Sequence, residues 1–337
     1  MGLILYTAVE AVVPIILLIL LGVWLRRRKL LSDGFLSTGN KLVFRLGLPC
    51  MLFVNVYSIE SLDAVHWDVI LYACALILLI FFLGLVTAVL TTPVPERRGV
   101  ILQCSFRSNS AIIGLTLAAA LGGPEAEAVA ACTAAVTIPL FNVLAVIALS
   151  MFSKGEKKQS FGKICMDIVK NPLIHGVLLG LICLVLRWLQ TCVFGEAVFR
   201  LNRQLSFVYT ALQWLKTLTT PLSLIVLGGQ FVFSAVKELK KEIIVSTLWR
   251  VAFAPALAIG GAVALSKMGA LNCGVNEFPA LVGLFGSPVA VSSAIMASQM
   301  GNDEQLATQL VVWTTIFSAF TIFATVCILM AMGLLNV

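Results

Sequence analysis

RGVILQCSFRSNSAIIGLTLAAALGGPEAE, residues 98–127, decides the fold. The stretch is apolar toward both ends and polar in its middle, at Phe106-Arg107-Ser108-Asn109-Ser110, and its apolar run closes on Gly122-Gly123-Pro124. A lipid-facing helix does not place Arg, Ser and Asn side by side at its centre. Counting about 1.5 Å per residue from Arg98 puts Arg107 roughly 14 Å deep, near the midplane of a bilayer. A charge there is costly, faces protein or water, and marks a functional site.

The pattern returns 179 positions later. Leu102, Phe106, Ser108, Ala111, Ala118, Gly122 and Glu125 fall on Leu281, Phe285, Ser287, Ala290, Ala297, Gly301 and Glu304 without a gap. Asn109 falls on Pro288, so each middle carries a residue that disturbs a helix. Chance likeness between two Ala/Ser-rich apolar segments is the competing account. The preferred one is an internal repeat with one interrupted helix per half, the sequence pattern of a transporter binding site.

Composition agrees. Of 337 residues, 60% are hydrophobic and only 12% charged, and the mean hydropathy is +1.03. These values, with many apolar runs near membrane-spanning length, indicate an all-α polytopic membrane protein in a lipid bilayer. The alternating pattern of a membrane β-barrel is absent. The net charge of +7 does not suggest nucleic acid, because the basic residues lie in short loops between apolar segments. The nine cysteines show no metal-ligand spacing, and most sit inside apolar segments as small apolar residues. The first apolar run has its basic cluster after it, the reverse of a cleavable signal, so it reads as a retained span.

The chain divides into ten expected transmembrane helices: Ile4–Leu25, Ser37–Ser58, Trp67–Thr91, Arg98–Leu121, Ala126–Phe152, Asn171–Phe194, Phe207–Phe233, Ile243–Ser266, Phe278–Met300 and Leu306–Leu335. A five-plus-five division follows, with residues 1–152 the first repeat, 153–170 a polar cytoplasmic linker and 171–337 the second repeat. Pro49 in the second span matches Pro221 in the seventh, and Pro14 loosely matches Pro172. Loops on one side carry Arg26-Arg27-Arg28-Lys29, Arg97-Arg98, Lys154, Lys157, Lys158, Lys163, Lys170, Lys237, Lys240 and Lys241; the opposite loops carry Arg200, Arg203 and Lys267. The basic side is expected to be cytoplasmic, with both termini outside. An odd number of spans per repeat inverts the second half, so one site can open alternately to either side.

At Arg107-Ser108-Asn109 followed by Gly114-Leu115, the chain resembles the auxin efflux carrier family of membrane transporters. Asn171-Pro172-Leu173, Pro221-Leu222-Ser223 with Gly228-Gly229, Pro288-Val289-Ala290, Gly301 and Asp303 agree in order over nearly the whole chain. The resemblance implies ten helices in two inverted five-helix repeats, with helices 4 and 9 broken and crossing near the midplane. Bile-acid and sodium/proton transporter relatives share that fold. Members move organic anions: auxin in plants, and malonate, malate or similar carboxylates in bacteria. The short loop between the halves resembles the bacterial form, which implies a bacterial cytoplasmic membrane, and a homodimer is implied by the same resemblance. One departure stands out: many relatives carry Gly-Leu-Pro where this chain has Gly114-Leu115-Thr116.

Broken helices expose backbone N–H groups, and the half-helices expected to begin near Ser110 and Val289 would turn partial positive charge toward an anion. The expected substrate-binding residues are Asn109, Arg107, Ser108, Ser110, Ser287, Pro288, Val289 and Asn55. Asn109 supplies amide groups, the serines supply hydroxyls, and Pro288 lacks an N–H and holds the second break open. The alternative for Asn109 and Pro288 is a pair of kinked helices repacked by side-chain hydrogen bonds. Arg107 either pairs with a carboxylate or caps the first half-helix as a structural counter-charge. Asn55 either contacts substrate or makes an interhelical hydrogen bond.

Glu10, Gln230 and Ser292 are candidates for ion coupling. Glu10 alternatively sits at a solvated boundary. Thr137 and Asn142, flanking Pro139, either line a path or satisfy a kink. His175 reads as a packed or interfacial histidine. Arg45, Lys216 and Arg250 are expected to snorkel or pair, or to lie in a vestibule.

No Asp or Glu lies in Phe106–Ser110 or Phe285–Val289, which argues against proton carriage on a midplane acid. Sodium coupling through Ser, Asn and backbone oxygens stays open, as does uncoupled movement. No cofactor is called for beyond such Na+ or H+ coupling. The leading expectation is a secondary or facilitative carrier of small organic anions. A sodium-coupled symporter of the bile-acid type and a non-transporting ligand sensor are the alternatives. No Ser/His pair, His-Glu-x-x-His motif or paired intramembrane aspartates argue for an enzyme, and no Walker A sequence for an ATP-driven pump.

Overall fold

The computed structural model describes residues 2–58, 67–153, 170–196, 198–231 and 235–335, and the side chains of 2–12, 15 and 112 lie outside that description. The Glu10 side chain and the linker residues 154–169, with Lys154, Lys157, Lys158 and Lys163, therefore fall outside the description. Helix makes up 85% and no strand forms among the described residues. In chain order the main helices are α1 (Gly2–Arg27), α2 (Asp33–Leu42), α3 (Leu48–Tyr57), α4 (Trp67–Thr91), α5 (Pro95–Phe106), α6 (Leu115–Met151) and α7 (Pro172–Phe194). They continue as α8 (Ser206–Gln230), α9 (Lys240–Leu248), α10 (Ala254–Lys267), α11 (Glu277–Gly286), α12 (Ser292–Gln299) and α13 (Glu304–Ala331). Among the described residues five helical stretches are long and apolar enough to cross a membrane: α4, α6, α7, α13 and the run Lys240–Lys267.

Prolines shape the helices without ending them. A π-turn at Val43–Gly47 joins α2 to α3 just before Pro49, and another at Trp249–Phe253 joins α9 to α10 just before Pro255. Each wider turn takes up the missing proline N–H and the ring's clash with the preceding carbonyl. Helix α6 is in fact two helices meeting at Gly123, whose φ of 70° and ψ of −162° only glycine adopts cheaply. That kink is the Gly122-Gly123-Pro124 stop expected from the sequence.

Two packing groups emerge. In one, α1 lies along α8 and α3 along α7. The backbones approach closely: a Cβ on Gly22 would stand 3.0 Å from the Gly228 Cα, and one on Gly176 would stand 2.9 Å from the Pro49 Cα. Small residues at these points let bare backbone pack where lipid provides no hydrophobic drive. In the other group α4 packs on α5 and α6, α10 on α11, α13 on α9 and α12, and α11 on α6.

Loop contacts sort into two sets. In the first, Arg97 pairs with Glu242 at 3.0 Å and Asp303 at 3.1 Å. Asn302 donates to the Leu149 carbonyl at 3.0 Å, and Gln305 to the Gln230 carbonyl at 3.5 Å. In the second, the Leu201 amide donates to the Tyr57 hydroxyl at 2.8 Å. The Asn272 amide donates to Asp68 at 3.2 Å and Asn276 to Glu125 at 3.0 Å.

Candidate functional site

The two interruptions foreseen at Arg107–Asn109 and Pro288 are both real and they touch. Helix α5 ends at Phe106, and Arg107 turns extended (φ −80°, ψ 109°). Helix α11 ends at Gly286, and Ser287 turns extended (φ −61°, ψ 147°). The two extended pieces form an isolated antiparallel bridge between Ser108 and Val289. The Asn109 amide donates to the Pro288 carbonyl at 2.9 Å, and the Ala290 amide to the Arg107 carbonyl at 3.4 Å. Backbone that would be orphaned in a membrane is thus satisfied strand-fashion. Asn109 and Pro288, opposed here, are also the two residues that the 179-residue offset superposes.

The chain leaves the two breaks differently. After Asn109 a π-turn at Ser110–Gly114 starts at once. After Pro288, helix α12 begins only at Ser292. The half-helix expected near Val289 starts later, and the amides before it are already engaged: that of Val289 by the Thr314 hydroxyl (3.2 Å) and that of Ala290 by the Arg107 carbonyl (3.4 Å). Neither N–H is left to face a ligand.

A cavity of about 50 Å³ lies against the bridge, lined among others by Arg107, Ser108, Asn109, Asn142, Ser292 and Asn55. Met51, Asn55, Ala111, Ile138 and Thr220 also line a chamber of about 650 Å³ that extends toward Ser58 and Lys216. That direction is the face of the Tyr57 and Glu125 loop contacts. On the opposite face a separate cavity of about 430 Å³ is bounded by Phe44, Ser150, Lys170, Asn171 and Gly301.

Arg107 is 5% exposed. One terminal nitrogen donates to Asn142 Oδ1 and Ser292 Oγ, each at 2.9 Å. The other meets Met296 Sδ and, in the amide orientation that satisfies both partners, Gln103 Oε1 at 3.1 Å. All of these partners are neutral, and among the described residues the guanidinium has no carboxylate partner at the small cavity. Asn109 Nδ2 and the hydroxyls of Ser108 and Ser110 are buried and have no partner among the described residues. Buried polar atoms are normally satisfied; of these three residues, Ser108 and Asn109 line the small cavity and Ser110 lies beside it in sequence.

The other expected residues lie as follows. Asn55 sits at the junction of the two cavities. The Ser287 hydroxyl turns back to the Gly283 carbonyl at 2.5 Å and does not line the cavity. Pro288 contributes its carbonyl and Val289 its amide to the scaffold. Ser292 contributes its hydroxyl to Arg107. Gln230 lies at the end of α8, away from both central cavities, where its carbonyl accepts from Gln305. The Thr137 hydroxyl back-bonds to Thr133 at 2.9 Å, whereas Asn142 faces the cavity. Arg45 and His175 are exposed, and Lys216 lines the chamber.

Arg250 departs most from expectation. It neither snorkels nor reaches a cavity: it is 0% exposed and donates to five main-chain carbonyls. Nε meets Ser287 at 2.9 Å; Nη1 meets Phe106 at 3.2 Å and Ser105 at 3.5 Å; Nη2 meets Phe285 at 2.7 Å and Leu284 at 3.4 Å. One side chain therefore caps the ends of both α5 and α11. The only sequence signal for this was an arginine inside an apolar span, five residues before Pro255.

A family model described as membrane transport protein matches residues 7–326. The chain is also 25% identical over 327 residues to a Methanocaldococcus jannaschii protein described as an uncharacterised transporter, covering 93% of this chain and 96% of that protein.

Proposed function

Because the chain belongs to the membrane transport protein family, the auxin efflux carriers, we propose that it is a secondary carrier of small organic anions such as carboxylates. The observation that carries the substrate class is the small cavity at the paired breaks, where Arg107, whose described partners are all neutral, meets donors of Ser108 and Asn109 that have no partner among the described residues. About 50 Å³ is the scale of one carboxylate or a few waters. A buried guanidinium whose described partners are all neutral favours an anionic guest, and its planar fork matches a carboxylate.

In this reading the molecule has ten crossings in two inverted repeats. The packing supports it, because exchanging the halves maps α1–α8 onto α7–α3 and α4–α5 onto α10–α11. The loop contacts support it too, since they fall into two sets as alternating crossings require. The face with Arg97, Lys170 and Lys240 is then cytoplasmic. The group containing α1, α3, α7 and α8 serves as a frame, and the group holding the breaks moves against it. The present state opens the site to the 650 Å³ chamber on the far side, a volume inside the roughly 300–1,000 Å³ span of ligand sites.

The test is uptake of labelled mono- and dicarboxylates into proteoliposomes, paired with thermal stabilisation of the purified protein by the same panel in sodium or potassium. A carboxylate that both stabilises and moves is the expected result. If no anion does either, the assignment fails; if one stabilises without moving, the protein is a sensor built on a carrier fold.

A further inference from the structure

We infer that Arg250 is a charge-setting residue of the anion site: it neutralises the two negative helix ends at the breaks, leaving the field at the cavity positive. The inference rests on the anion-carrier reading above. Each α-helix carries roughly half a positive charge at its start and half a negative charge at its end. At a meeting of two broken helices, two starts and two ends lie close together, and their partial charges cancel to first order. Such a meeting has no preference for an anion until one sign is removed.

Arg250 removes the negative sign. Its five donors reach Ser105 and Phe106 at the end of α5, and Leu284, Phe285 and Ser287 at the end of α11. Two ends of about half a charge each are matched by one guanidinium. The residue is wholly buried and does not line the cavity, so it acts through the helix ends rather than by touching the guest. Arg107 and the starts at Ser110 and Ser292 then act unopposed. The geometry is that of a bound cation at a carbonyl cluster, with the cation tethered to the chain. The π-turn at Trp249–Phe253 supplies the reach, placing Arg250 where Pro255 has already loosened the helix.

The experiment compares Arg250→Lys with Arg250→Gln in detergent-purified full-length protein. Both lose the five-point fork, and only Gln loses the charge. Melting temperature and the dissociation constant for a stabilising carboxylate, and for its neutral amide, are measured for each. Arg250→Lys is expected to bind the carboxylate within a few-fold of wild type. Arg250→Gln is expected to bind it weaker by roughly tenfold or more while its binding of the neutral amide holds, the scale of one lost charge–dipole contact. Low-millimolar guanidinium is expected to restore carboxylate binding to Arg250→Gly, whereas urea does not. The inference is overturned if Gln binds the carboxylate like wild type, or if Lys behaves like Gln, including a shared failure to fold. Absence of any carboxylate effect on the wild type refutes the carrier reading instead. In that case a melting temperature of Arg250→Lys no higher than that of Arg250→Gln overturns the neutralising role independently.

Discussion

Replacing Asn109 by alanine separates a ligand-binding residue from a structural one by the sign of its effect. The backbone of Asn109 does the structural work, giving its amide to Pro288 and taking the Ile113 amide at 3.0 Å, and alanine keeps both bonds. The side chain contributes a buried Nδ2 with no partner among the described residues. An unmet buried donor costs about 1–3 kcal/mol. The deleted group borders a cavity, so little packing is lost with it. The empty Asn109→Ala protein is therefore expected to melt at or above the wild-type temperature, against the usual trend of buried substitutions. With ligand the order reverses. A ligand at a hundredfold excess over its dissociation constant stabilises by about 2.7 kcal/mol, and a tenfold loss of affinity reduces that to about 1.4 kcal/mol. Thermal unfolding followed by intrinsic fluorescence, with and without a stabilising carboxylate, reads both quantities. A variant that melts well below wild type when empty, yet shows the full ligand shift, would refute the reasoning and make Asn109 a packing residue.

Further expectations concern neighbouring parts. Ser287→Ala should leave carboxylate affinity unchanged, because its hydroxyl is spent on Gly283; a tenfold loss in the same titration would place that hydroxyl on the ligand. In Gly114→Ala the new Cβ would stand 2.7 Å from the Gly283 carbonyl oxygen, backbone against backbone. A loss of about 1–3 kcal/mol is expected from such overpacking and is checked by thermal unfolding. Cysteines at Gln230 and Gln305, joined by a short bifunctional thiol reagent in a background without reactive native thiols, should block uptake but preserve carboxylate-induced stabilisation. Equal uptake after cross-linking would show that this contact between the two packing groups does not open. Arg97→Gln should cost at most about 2 kcal/mol and less in high salt, since its two ion pairs are partly solvent-exposed.

The breaks were legible because both rest on residue types with a local effect. Arg107, Ser108 and Asn109 cannot face lipid, and Pro288 cannot complete a helix. The offset linking them superposes Asn109 and Pro288, the two residues the structure sets opposite one another. What stayed hidden depends on direction rather than type. Ser287 and Ser108 are repeat mates, yet one hydroxyl turns back on its own helix and the other lines the cavity. Asn142 was visible as a polar residue near a proline, but nothing local tied it to Arg107, 35 positions away. Arg250 was hardest to read, because its partners are main-chain carbonyls and any residue can supply those. The engagement of the Val289 amide by the Thr314 hydroxyl is likewise a tertiary contact that no spacing within the segment encodes.

The pair at the centre of the bridge bears on ancestry. Two separate copies of a half-length chain, meeting about a true dyad, would have set this position against itself. Asn facing Pro, like Arg107 matched by Gly286, is available only where the two halves differ in sequence. A dyad offers a guest two equivalent poses, with its charge on the axis. On the proposed inverted-repeat reading the drifted pair offers one, off the axis on the Arg107 side, so a duplicated pocket would hold a guest in a single orientation only as its symmetry is lost.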